Sequence, residues 1–108
     1  MLARVARWEG ADAETLRQTA EEIRRQAAEA GGPPEGVPSQ ALLLLHDTAG
    51  GKALAISLFE TEADYEEGDR TLNEMSPPGG GMGQRVAVER YEVAVDLRAE
   101  SLGGAATA

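Results

Sequence analysis

Apolar residues recur at spacings of three and four from Leu16 through Ala20, Ile23, Ala27 and Ala30, with Glu14, Arg17, Glu21, Glu22, Arg24 and Arg25 between them. This period predicts an amphipathic helix from Asp12 to Ala30. Asp12 is suited to cap its start by accepting a backbone N–H, Glu14 favours the positive end of the helix, and Gly31-Gly32-Pro33-Pro34 stops it. A second helix is predicted from Thr61, where Thr61 and Asp64 have the spacing of a capping box and Tyr65, Gly68, Leu72 and Met75 share a face. It ends before Pro77-Pro78. Between the helices lie two short apolar runs, Ala41–Leu45 and Ala53–Phe59, joined by Thr48-Ala49-Gly50-Gly51, which reads as a hairpin. Met1–Trp8 predicts a first strand and Arg85–Leu97 a long last one, bent near Arg90. The glycine-rich Pro77–Gly83 segment is expected to be mobile.

The order strand, helix, strand, strand, helix, strand is the split unit of the ferredoxin-like fold. The expected class is therefore α+β, with an antiparallel four-stranded sheet and two helices on one face. Residues 1–100 form one domain and 101–108 a flexible tail. The hairpin strands are apolar on both faces, whereas a sheet with one wet face would alternate. Pairing about the turn puts Leu42, Leu44 and His46 with Ala53, Ala55, Ser57 and Phe59, and leaves Leu43, Leu45, Leu54, Ile56 and Leu58 on the other side. Two helices cover one face only. The bulkier face is expected to meet the same face of a second copy, and the small-residue face to receive the helices or a ligand between helix and sheet.

Composition narrows the chemistry. The chain has 108 residues, no Cys, one His and a formal charge of −9. Disulfide and thiol chemistry are excluded, and so is a structural zinc site of the usual Cys and His ligands. The acidic balance argues against nucleic acid and anionic membrane as partners. No apolar run approaches a membrane span, and the opening Met1–Arg7 lacks the apolar stretch of a secretion signal, so a cytoplasmic location is expected. The glycines form neither a dinucleotide fingerprint nor a phosphate loop. The acids of the second helix read as a solvated face.

The remaining candidates are few. His46 is the one side chain whose ordinary pKa lies near neutrality, which makes it the candidate base; a partly exposed hydrogen-bonding role at a strand end is the alternative. Arg4 and Trp8 share a face of the first strand. There Arg4 could hold a carboxylate or phenolate with its planar fork, or pair with an acid such as Glu89. Phe59, Tyr65, Trp8 and Tyr91 are all the aromatics, and core placement is favoured for Phe59 and Tyr91. Gly68 on the packed face of its helix signals close approach to the sheet or a needed space.

The element order, the Gly50-Gly51-Lys52 turn leading into Ala53-Leu54-Ala55-Ile56-Ser57-Leu58-Phe59-Glu60, and the closing Val88-Glu89-Arg90-Tyr91-Glu92-Val93 resemble the dimeric α+β barrel superfamily, and within it the antibiotic-biosynthesis-monooxygenase-like domains. The resemblance covers roughly Met1 to Leu97. It implies a homodimer in which two four-stranded sheets meet face to face. Haem-degrading members use an Asn on the first strand, a Trp closing the third and a His on the second helix. Here Arg4 or Arg7, Phe59 and Gly68-Asp69 occupy those places, so haem is not expected. Cofactor-independent members hold a polyphenol with scattered Trp, Asn, Tyr and Arg residues, for which Trp8, Tyr65 and Arg4 are counterparts.

Three readings follow. The first is cofactor-free oxidation or binding of a small aromatic or apolar molecule in a cleft between sheet and helices, with Arg4, Trp8, Phe59 and Tyr65 binding and His46 catalytic. The second is a non-catalytic dimer. The third is an isomerase or decarboxylase of the same superfamily using His46 as base. No metal and no cofactor are expected in any of them.

Overall fold

The computed structural model describes residues 1–75 and 81–99. The chain runs β1 (Leu2–Gly10), α1 (Ala13–Ala30), β2 (Ala41–Asp47), β3 (Lys52–Phe59), α2 (Glu62–Glu74) and β4 (Gly83–Glu92). The strands form one antiparallel sheet in the order β2-β3-β1-β4, with both helices on one face, as the ferredoxin-like order requires. Both helix starts are capped as expected. Asp12 accepts from the Thr15 backbone N–H at 2.8 Å, and Thr61 from that of Asp64 at 3.1 Å. Gly31 ends α1 in the left-handed region at φ 76°, its N–H bonding to the Ala27 carbonyl.

The hairpin register pairs Leu42 with Ser57, Leu44 with Ala55 and His46 with Ala53, which gives the two expected face sets. On β1, Leu2, Arg4, Ala6 and Trp8 stand opposite Phe59, Ser57, Ala55 and Ala53, so they lie on the helix side. Two small clusters fill that side. Leu16, Ala53 and Met82 pack with Trp8, Ala11 and Leu44 under α1, and Val37, Phe59 and Tyr65 pack with Leu2 and Leu72 near α2.

Several expectations need correction. Strand β4 starts at Gly83 and stops at Glu92 rather than running to Leu97. The last bond of this pairing runs from the Val93 N–H to the Met1 carbonyl at 3.0 Å. The irregularity in β4 lies opposite the Arg7–Trp8 step, not at Arg90. Of the segment expected to be mobile, residues 76–80 lie outside the described residues, as do 100–108 with the expected tail. Gly81 and Met82 are buried, and the Thr19 hydroxyl donates to the Gly81 carbonyl at 2.7 Å. Gly83 has φ +92°, and a Cβ there would strike the Glu9 carbonyl, so glycine is needed where β4 joins β1. Of the α1 stripe only the front half packs, because residues 24–30 are exposed. Tyr91, expected in the core, is 51% exposed.

Candidate functional site

The five candidate residues fall into two groups at opposite ends of the helix-covered face. Arg4, Phe59 and Tyr65 gather under α2. Phe59 is completely enclosed, and Tyr65 meets it edge to face with ring centroids 5.5 Å apart. Gly68 lies directly above, where a Cβ would run into Cε1 and Cζ of the Phe59 ring. Close approach is therefore the reason for glycine here, and aromatic carbon fills the space beneath this turn of α2.

Arg4 is only 3% exposed and is held by α2, not by Glu89. Its Nε donates to Asp69 Oδ1 at 2.7 Å and its Nη2 to Asn73 Oδ1 at 2.9 Å. Arg85 donates to the same Asn73 oxygen at 2.9 Å. The planar fork that could have gripped a ligand anion ties helix to sheet instead. Glu89, on the opposite face, pairs with Arg7 at 3.7 Å. On the outer side of the cluster Arg90 lies 4.8 Å above the Tyr65 ring and donates to Glu62 at 2.9 Å. Burial and the nearby Asp69 carboxylate push the Tyr65 hydroxyl above the ordinary tyrosine pKa, with Arg4 and Arg90 opposing them. Tyr65 therefore stays a neutral donor at physiological pH.

Trp8 and His46 stand at the hairpin end. Trp8 packs on the Leu16 cluster with its indole N–H enclosed, and among the described residues no acceptor meets it. His46 is exposed, and among the described residues no side-chain hydrogen bond or ion pair orients its ring. A histidine acting as base in a fixed constellation needs such an orienting partner.

The other face of the sheet carries what the sequence reading assigned least chemistry to. Here Val5 lies between Ile56 and Glu89 and Ala3 between Leu58 and Tyr91, while Leu43 and Leu45 of β2 are each 48% exposed. A shallow hollow of about 490 Å³ opens on this side toward the hairpin, walled by Val5, Arg7, Leu45, Leu54, Glu89 and Tyr91, with Trp8 and His46 also reaching it. Arg7 and Glu89 neutralise each other within it, and Lys52 lies 3.9 Å from Asp47 at its hairpin end. Arg7 and Tyr91 were the residues that sequence reasoning missed. Their odd-numbered places beside Val5 and Glu89 were the available signal.

Among the described residues there is no group of three or more His, Cys, Asp or Glu able to hold a metal ion, and no helix long and apolar enough to cross a membrane. Comparison with protein-family models, curated proteins and solved structures returns no match.

Proposed function

We propose that the chain acts as a homodimer, two copies apposing their open sheet faces into an α+β barrel of the antibiotic-biosynthesis-monooxygenase-like kind, with assembly as the primary role of that face. The observation that carries this reading is the apolar surface of Val5, Leu43, Leu45, Leu54, Ile56 and Leu58, which no element among the described residues covers. Its central ion pair leaves the patch near neutral, while the acidic surplus sits elsewhere. Helix α2 alone carries six acids against Arg70. A neutral apolar face on an acidic body favours another copy of itself over an anionic partner.

Sedimentation at micromolar concentration is expected to give a dimer. Because two bodies of charge −9 repel, raising salt from about 20 to about 500 mM is expected to tighten it. A monomer at every concentration and salt would remove this reading.

A second reading rests on the hollow. Its volume suits a small apolar or aromatic molecule, and a facing subunit would roof it. Cofactor-free oxidation, or proton transfer by His46, would have to take place here, since the space between α2 and the sheet is filled by Phe59. Trp8 is the only tryptophan; its indole packs on the helix side, and its strand forms part of the wall of the hollow. Simple phenols and quinols are therefore expected to quench its fluorescence saturably, and an Arg7→Ala, Tyr91→Ala variant to respond at least tenfold more weakly. Linear, non-saturating quenching would leave assembly as the sole role.

A further inference from the structure

The register lays the open face out in rows. At the hairpin end Glu9, Lys52 and Asp47 stand side by side on β1, β3 and β2. The next row is Arg7, Leu54 and Leu45, and the one after it Val5, Ile56 and Leu43, with Glu89 beside Val5. The hollow spans the first two rows and reaches Val5, Glu89 and Tyr91. It therefore has an apolar floor of Leu54, Leu45 and Val5 that runs up to a charged end.

The charges of this lining do not cancel. Glu9, Asp47 and Glu89 are acids, against Arg7 and Lys52 as bases. Arg7 pairs with Glu89 at 3.7 Å and Lys52 with Asp47 at 3.9 Å, and Asp47 also accepts from the Gly50 backbone N–H at 3.0 Å. Glu9 is left over, since among the described residues no hydrogen bond or ion pair reaches its carboxylate. The chain as a whole carries −9, so the longer-range field at the hollow has the same sign. An anionic guest would meet both repulsions at once. A neutral one would strip water from Glu9 and return nothing for it.

We infer that the hollow selects organic cations, namely primary amines with an apolar or aromatic body, the ammonium against Glu9 and the body over Leu54 and Val5. The inference rests on the reading of the hollow as a ligand site and goes beyond it, because it fixes the charge of the guest and the direction in which it lies. The dimensions agree with this. Alternate residues of a strand are about 7 Å apart, so two methylenes between ammonium and ring carry the ring from the Glu9 row onto Leu54. Lys52 gives the idea a second handle. It is the only lysine of the chain and stands between Glu9 and Asp47, where it competes with an incoming ammonium for the same acids.

The probes are 2-phenylethylamine, 2-phenylethanol and phenylacetate, which share a ring and differ in charge. Their binding to the full chain is read from the backbone amide shifts of Val5, Arg7, Leu45 and Leu54. At about 20 mM salt the amine is expected to bind at least about fivefold more tightly than the alcohol, and the acid most weakly, with the gap narrowing at about 500 mM. Glu9→Gln should bring the amine down to the affinity of the alcohol. Lys52→Met leaves two acids without a base and should tighten the amine at least about threefold. Neither exchange should change the affinity of the alcohol, and both replace exposed side chains, so the circular dichroism spectrum should stay as it is. If the amine has no advantage over the alcohol, or if either variant leaves that advantage unchanged, the preference for cations is wrong and the hollow stands as a ligand site. If none of the three compounds moves these amides at millimolar concentration, both readings fall.

Discussion

Gly68→Ala is expected to destabilise the protein by about 1–3 kcal/mol, although the same exchange in an open helix gains about 1 kcal/mol. The reason is local: the added methyl would land on the edge of Phe59, a ring with no exposed surface that Tyr65 holds from the side. Neither backbone nor ring has free space to move into. Phe59→Ala by itself should cost about 3–5 kcal/mol, because an enclosed aromatic leaves a cavity that α2 can only partly close. In that background the methyl at residue 68 has room, and Gly68→Ala should turn neutral or stabilising, a coupling of about 2 kcal/mol. Urea unfolding of the four proteins at one fixed concentration measures the cycle, the fixed concentration being needed because association adds to apparent stability. Additive changes would mean that α2 does not rest on the ring.

Ile56→Asp is expected to yield a folded monomer. Ile56 lies mid-strand on the open face, between Val5 on β1 and Leu43 on β2. In a lone subunit a carboxylate there still reaches water, so the fold should survive with a loss within about 1 kcal/mol. Between two sheets it would be buried without a partner, at a cost of several kcal/mol. Each 1.4 kcal/mol is tenfold in the dissociation constant, so a shift of a thousandfold or more is expected. Leu43→Asp should act in the same way. Val88→Asp is the control, because Val88 pairs with Ala6 on the helix side of the sheet. Sedimentation of all three decides the matter. A dimer that tolerates Ile56→Asp, or a dimer broken by Val88→Asp alone, would show that the copies meet elsewhere.

The six elements were legible because each is marked locally. Asp12 and Thr61 cap the helices, Gly31 ends one of them, and the glycine pair 50–51 turns the hairpin. Hydrophobic alternation also sorted the hairpin into its two faces. What alternation could not show is where pairing stops. Val93, Val95 and Leu97 read as strand, but the ladder with β1 closes at the pair Leu2 and Glu92 with one further bond from Val93 to Met1, and that limit is set in three dimensions. The burial of Met82 was hidden for a related reason: three glycines in a row suggested freedom, while the Thr19 hydroxyl, far off in sequence, anchors the last of them.

The site was less legible than the fold. Arg4 and Trp8 share a strand face, yet one is gripped by Asp69 and Asn73 of α2 and the other rests on Leu16 of α1, so two candidates joined by alternation serve different clusters. Arg7 and Tyr91 were passed over because the hollow they wall is a surface that only the sheet order assembles.

The rear of α1 also bears on how this protein can be handled. Arg24 bonds to Glu21, Arg25 bonds to Glu22 and to Glu29 at 2.7 Å, and residues 24–30 are exposed throughout. Such a self-braced rod is a natural mounting post: a dye, an affinity handle or a fused protein grafted near Gly32 would stand clear of the ribbon on both sides, and could report on pairing without taking part in it.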